Sequence, residues 1–203
     1  EYYAHVIRVV ETSSGIIRSF AGTENMAGTT AGDAGPATSA NLNYPYYLAG
    51  NTAGIIYVAD YGNSRVRFID SSSGIITSSP FSINGPLGVF VDTSGAFYIS
   101  TSNNQILKST TPDGISNSFI AGIGTVSLTA TEPNGDGASA LLATFNFPRG
   151  LYVDPISGYL YVADTNNKRI RVIDQSTGLI TTFSGTGETG SSGDGGLALD
   201  ATL

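Results

Sequence analysis

The chain has 203 residues, of which 40% are apolar and only 12% charged, with a net charge of −7 and no cysteine. A Lys/Arg deficit of this size opposes phosphate binding, and so nucleic acid and anionic membranes as partners. The absence of Cys removes disulfides and thiolate zinc sites, and no apolar run approaches the ~18 residues that span a bilayer.

Residues 1–20 open without a basic-then-apolar leader, so any signal segment is expected outside them. They read as two outer strands around Gly15-Ile16-Ile17. A linker, 21–44, carries Gly32-Asp33-Ala34-Gly35. Residues 45–81 then hold a complete unit, with Pro45 at its head, Tyr57-Val58-Ala59-Asp60 on its second strand and Gly74-Ile75-Ile76 before its fourth. Residues 82–120 repeat the order with Pro86, Phe97-Tyr98-Ile99-Ser100 and Gly114-Ile115. A long linker, 121–147, contains Gly135-Asp136-Gly137. Residues 148–184 repeat it again with Pro148, Tyr161-Val162-Ala163-Asp164 and Gly178-Leu179-Ile180, and 185–203 form a last linker with Gly193-Asp194-Gly195-Gly196. The second-strand phrases are 40 and then 64 residues apart.

Four markers in constant order define a repeat of about 40 residues, the length of a four-stranded blade. In the last full unit the first two strands read as apolar runs, as for sheets covered on both faces. The third alternates Arg and aliphatic residues, which predicts one side facing water. Asp92-Thr93-Ser94-Gly95 and Asp174-Gln175-Ser176-Thr177-Gly178 are hairpin turns with an Asx-type start and a left-handed glycine. The fold class is therefore all-β: a β-propeller of four-stranded antiparallel blades, its ring incomplete. Two strands from the first unit and four from each of the others make fourteen. A ring needs about 24 to 32 strands, so the remaining blades of the same chain, or other subunits, are expected partners.

Pro148-Arg149-Gly150-Leu151-Tyr152-Val153-Asp154 followed by Leu160-Tyr161-Val162-Ala163-Asp164-Thr165-Asn166-Asn167-Lys168-Arg169 resembles an NHL repeat. The resemblance extends over the whole chain and is weakest in the third unit. It implies propellers of six or a similar number of blades, and the Gly-Asp-Gly linkers resemble those of large extracellular and bacterial NHL proteins.

The turns between second and third strands share one end of a propeller with the linkers between blades. That face is expected to carry Asp60, Tyr61, Asn63, Asn103, Asn104, Asp164, Asn166 and Asn167, with Tyr46, Leu87 and Arg149 at the channel mouth. Such a gathering suits binding. Asp60 with Arg65 and Asp164 with Arg169 read as structural ion pairs, because both charges vanish together at Ser100 and Gln105 of the third unit; metal binding by the two aspartates is the alternative. Asp33, Asp136 and Asp194 read as caps of the short helical turns that follow them, rather than as calcium ligands.

His5 is the sole histidine, too few for the zinc site of the amidating lyase that resembles this family in fold. No Ser-His-Asp set has support either. These readings predict no enzyme activity, no metal and no cofactor. The expected function is a protein-interaction or structural assembly module of an extracellular or cell-surface protein. A ligand-sensing propeller of a membrane receptor or kinase, and a lyase or hydrolase with its catalytic residues elsewhere, are the alternatives. Thr125, Ser127, Thr129 and Thr131 beside Pro133 are candidate O-glycosylation positions.

Overall fold

A computed structural model describes residues 1–26, 31–111, 116–125 and 135–203. Gly114-Ile115 and the candidate glycosylation positions Ser127, Thr129 and Thr131 lie outside the described residues. Blade 1 contributes β1 (Ile7–Val10) and β2 (Ile17–Ala21), which pair antiparallel. A short β3 (Gly35–Pro36) lies in the linker. Blade 2 is β4 (Pro45–Gly50), β5 (Ile55–Asp60), β6 (Arg65–Asp70) and β7 (Ile75–Ser78). Blade 3 is β8 (Pro86–Val91), β9 (Phe97–Thr101), β10 (Ile106–Ser109) and β11 (Asn117–Ala121). Blade 4 is β12 (Pro148–Val153), β13 (Leu160–Asp164), β14 (Arg169–Asp174) and β15 (Leu179–Ser184). Strand order within each full blade follows the sequence, and the sheets form an open arc of propeller blades.

Proline opens the innermost strand of every full blade, where a missing N–H costs no ladder bond. Each of these strands is bulged just after the proline. The bulge bends the chain where it turns from the linker into the channel wall.

Packing is between blades. Ile7 and Ala21 of blade 1 meet Leu42, Val58, Ile69 and Ile76. Tyr57 and Phe68 of blade 2 meet Phe97 and Ile99 of blade 3. Tyr98 and Ile106 of blade 3 meet Phe145, Leu160 and Ile180. Each of the larger aliphatic and Phe side chains contributes about 1.5–3 kcal/mol by leaving water, so a blade is stable only against its neighbours.

Three expectations are corrected here. First, the described residues hold fifteen strands rather than fourteen, because a linker contributes one. β3 pairs antiparallel with β7 as a fifteenth strand, Ala34 N–H donating to Ile76 O at 2.8 Å. Ser139 bridges Leu179 in the same way in blade 4. These two linkers thus staple the outer edge of the blades they lead into, which protects an otherwise open edge.

Second, the third unit is aligned one residue differently. Pro45 lies opposite Asp60, Pro86 opposite Thr101 and Pro148 opposite Asp164. The counterpart of Asp60 is therefore Thr101, not Ser100, and Tyr57, Tyr98 and Tyr161 share one position. The cause is the turn between β9 and β10, where Thr101 N–H already bonds Gln105 O, one residue tighter than the Asp60–Arg65 connection.

Third, the alternating third strand does not turn its arginines to water. Arg67 and Arg171 are essentially fully buried. A guanidinium is tolerated there only because carboxylates and carbonyls surround it.

The last linker repeats the internal hydrogen bonds of the other two. Gly185 N–H bonds Ala198 O at 3.0 Å, as Gly22 bonds Ala37 O and Gly122 bonds Ala140 O at 2.9 Å each. Leu203 stands where Leu42 and Phe145 are buried, yet it is 44% exposed.

Candidate interaction surface

The turns after β5 and β13 are built around a buried aspartate. Asp60 accepts the Asn43 N–H at 2.7 Å and Asn63 Nδ2–H at 2.9 Å; Asp164 accepts Asn146 N–H and Asn167 Nδ2–H at 2.8 Å each. The turns close on left-handed residues, Ser64 and Lys168. Each aspartate also faces a guanidinium: Arg67 Nη1 lies 3.2 Å from Asp60 and Arg171 Nη1 lies 3.5 Å from Asp164. The ion-pair partners are thus Arg67 and Arg171 rather than Arg65 and Arg169. Arg65 and Arg169 sit directly opposite the aspartates in the ladder, but the next residue on the same face reaches deeper, to a second acid.

That second acid comes from the linker. Arg67 Nη2 donates to Asp33 Oδ1 at 2.9 Å, and Arg171 Nη2 pairs with Asp136. Asp33 also accepts from Ser78 Oγ at 2.9 Å, and Asp136 from the Thr182 N–H at 2.9 Å. None of the helical turns after the linkers has a side-chain cap bond; their caps are Pro36, Ser139 and Leu197. The expectation that Asp33, Asp136 and Asp194 cap them is therefore corrected. Two of the three clamp a buried arginine, and Asp194 is exposed. In blade 3 the arginine position holds Leu107 and the preceding linker has no acid, so the whole clamp is missing together.

Two further latches join blades through left-handed residues. His5 Nδ1 accepts the Tyr44 N–H at 3.0 Å, and Asn104 Oδ1 accepts the Phe147 N–H at 2.7 Å. His5, at 7% exposure, is a structural acceptor.

Burial raises the carboxyl pKa of Asp60 and Asp164 above the ordinary value, against the opposing hydrogen bonds and arginines. Asp70, exposed in a hairpin turn, is lowered to about 2 by hydrogen bonds from Ser72 and Ser73. A raised carboxyl means that the folded state holds protons the unfolded chain has lost. Asp60 and Asp164 therefore favour folding most at low pH and less as pH rises through their folded values. Asp70 has the opposite sign: its contribution is present above the unfolded value and fades as pH falls toward 2. Carboxyl ¹³C titration is expected to place Asp70 near 2 and both buried aspartates above 3.8; coincident midpoints would contradict this reading.

These contacts divide the eleven face candidates. Asp60, Asn104, Asp164, Asn167 and Leu87 are buried, and Asn63 is half-buried against Asp60. The first five are not presented to solvent. Asn103, Asn166 and Arg149 are exposed, and Tyr46 and Tyr61 half-exposed. Tyr46 is the centre of an aromatic group, with ring centroids 5.6 Å from Tyr2 and 6.0 Å from Tyr61. The Arg149 guanidinium lies over Tyr46 at 5.6 Å and over Phe147 at 4.9 Å. Tyr2 stacks on Tyr44 at 4.8 Å. Tyr2, Tyr44 and Phe147 were not among the candidates; their signal was positional, since Tyr2 aligns with Tyr61 by the 59-residue step and Tyr44 adjoins Pro45. Among the described residues, no three His, Asp or Glu side chains are grouped to hold a metal ion.

The family model of the teneurin NHL domain matches residues 87–198. Among curated proteins, the chain is 29% identical over 148 residues to NHL repeat-containing protein 2 of Gallus gallus, covering 62% of this chain and 20% of that protein. It is 37% identical over 99 residues to Teneurin-1 of Caenorhabditis elegans, covering 41% of this chain and 4% of that protein. The chain thus spans a fifth or less of the length of these relatives. Among solved structures, it is similar to a chain of a nidogen/laminin complex, with a TM-score of 0.62 and 14% identity over 90% of this chain and 59% of that one. An auxiliary nutrient binding protein from Bacteroides thetaiotaomicron gives 0.64 and 19% over 91% of this chain and 43% of the other. Virginiamycin B lyase from Staphylococcus aureus gives 0.55 and 18% over 90% and 50%. These structural likenesses carry the propeller fold. With the family model spanning more than half of the sequence, the chain belongs to the teneurin NHL domain family.

Proposed function

We propose that this propeller segment is a non-catalytic protein-interaction module of a larger extracellular or cell-surface protein. It engages its partner through the face centred on Tyr46 and Arg149. The observation that carries the reading is the Tyr46 group itself. Tyr and Arg are the residue types in which interface binding energy concentrates, and here Tyr2, Tyr61 and Arg149 gather on Tyr46. The cell-surface placement is supported by the family. The non-catalytic reading is supported by His5, whose Nδ1 is committed to the Tyr44 N–H. Asp194 holds the linker position at which Asp33 and Asp136 pair with a blade arginine, which supports the same role for it in a larger propeller.

Binding of the fluorescent 203-residue chain to an array of purified extracellular domains tests the reading. Tyr46→Ala and Arg149→Ala are each expected to weaken the captured interaction by about 2 kcal/mol, ~30-fold in Kd. Ile156→Ala, at the opposite end of the propeller, is expected to leave it unchanged. Equal effects from all three, or none from the first two, would refute the face assignment. A mass of 20.9 kDa for the protein from its native source would refute the larger-protein part.

A further inference from the structure

At the opposite end of the propeller, blades 3 and 4 separate. Between blades 2 and 3 the corresponding space is filled by Tyr57, Phe68 and Phe97, whose ring centroids lie 5.2–5.7 Å apart. One blade on, the ladder places Lys108 opposite Tyr98 as it places Phe68 opposite Tyr57, and Leu160 falls where Phe97 stood. Two rings become an amine and a smaller aliphatic side chain, and a cleft of about 560 Å³ opens. That volume lies within the ~300–1,000 Å³ range of small-molecule sites.

Its walls are aromatic on one side and polar on the other. Phe90 and Tyr152 meet edge-to-face at 5.6 Å, and Tyr152 is 52% exposed. Across from them, the Tyr98 hydroxyl lies 2.9 Å from Gln175 Oε1 and 3.1 Å from Asp92 Oδ2, its one proton serving either. Lys108 Nζ donates to Gln175 Oε1 at 2.9 Å and lies 5.0 Å from the Tyr98 ring centroid. Gln175 Nε2 is anchored on Gly158 O at 2.7 Å. The network crosses from blade 3 to blade 4 and fixes the polar wall.

The charges are largely spent internally. Asp92 accepts the Ser94 and Ala96 N–H groups, and Asp154 those of Ile156 and Ser157. With two carboxylates and one ammonium around the cleft, an anionic ligand meets net repulsion, while a cationic one finds both carboxylates already engaged by backbone N–H groups and an ammonium, Lys108, in the same lining. What remains on offer is spare ammonium N–H, hydroxyl and carboxylate lone pairs, and an aromatic wall. A neutral ligand with hydroxyls on its edges and C–H groups on a face satisfies all of these.

We propose that this cleft between blades 3 and 4 is a saccharide site, with one pyranose ring packed on Tyr152 and Phe90 and its hydroxyls bonded to Lys108 and the polar wall. The site is independent of the Tyr46 face, so either assignment can fail alone.

Saturation-transfer NMR on the 203-residue chain tests it, with glucose, galactose, mannose and N-acetylglucosamine as probes and acetate and tetramethylammonium as charged controls. At least one sugar is expected to bind in the millimolar range, with contacts to the Tyr152 ring. Tyr152→Ala and Lys108→Met are each expected to weaken it about tenfold. Tyr46→Ala should not change it. A glycan array distinguishes a free sugar from a protein-linked glycan: signal on the array, competed by the same monosaccharide, assigns the latter. Failure of all four sugars, binding that survives Tyr152→Ala in a variant with unchanged amide spectra, or preference for either charged control would overturn the proposal.

Discussion

Arg67→Met is expected to destabilise the chain by ~3–5 kcal/mol, the usual cost of breaking a buried pair from one side. Arg67 is fully buried, and it joins Asp60 on β5 to Asp33 in the linker and to the Asn41 carbonyl at 3.0 Å. Removing it leaves Asp60 at 0% exposure with two hydrogen bonds and no countercharge. It also releases the linker that edges β7. Denaturant melts should show the loss, with a fall in Tm of roughly 6–20 °C. Adding Asp60→Asn should recover part of it, because the stranded charge rather than the missing side chain is the larger cost. The deficit should also shrink on acidification. Arg67 is among the groups that lower the Asp60 carboxyl; without it that carboxyl is raised further, and its neutral form is the one the cavity tolerates. A loss below about 0.5 kcal/mol, the scale of an ordinary surface change, would show that the clamp is ornamental.

The same clamp explains what was readable in the sequence and what was not. Strand order, turn chemistry and the repeat follow from local patterns: an apolar run, an Asp-x-x-Gly turn, a proline at each strand head. The joint loss of charges in the third unit reads as the loss of an Asp–Arg unit. Its membership was misread because the spacing identical in two blades, Asp60 to Arg65 and Asp164 to Arg169, measures adjacency across a hairpin. The actual partners, Asp33 and Arg67, lie 34 residues apart, and only packing of the linker on the blade brings them together. The same holds for the face. Asn104 and Asn166 look alike in sequence, yet one is a buried latch for Phe147 and the other is exposed. Tyr46 was legible as a residue after a proline. Its neighbours are Tyr61 of the same blade, Tyr2 of blade 1 and the Arg149 guanidinium of blade 4, and their convergence is a property of the arc.

Gly88→Ala and Gly150→Ala, at the same position of successive blades, are expected to have opposite outcomes. A Cβ at Gly88 would lie 1.8 Å from the Arg149 carbonyl oxygen and 2.8 Å from Ser100 Oγ. The obstacle is backbone, so no rotamer change relieves it, and β8 and β12 must separate. Ser100 Oγ makes this approach close: it accepts the Gly88 N–H at 2.9 Å and donates to Arg149 O at 2.8 Å. The cost should reach or exceed the ~3 kcal/mol upper end for overpacking, roughly 6–12 °C in Tm. A Cβ at Gly150 meets only the Ala163 methyl, at 3.5 Å, an ordinary contact. Gly150→Ala in the 203-residue chain should therefore be neutral or stabilising by up to ~1 kcal/mol through the unfolded state. The pair separates a general preference for glycine after Pro-x from a specific steric need. Comparable losses at both positions would mean that backbone conformation, not the approach of blade 4, selects glycine. The consequence at Gly88 also reaches the interaction face: moving Arg149 O moves the residue whose guanidinium covers Tyr46. Gly88→Ala should then weaken binding at that face while altering none of the side chains on it.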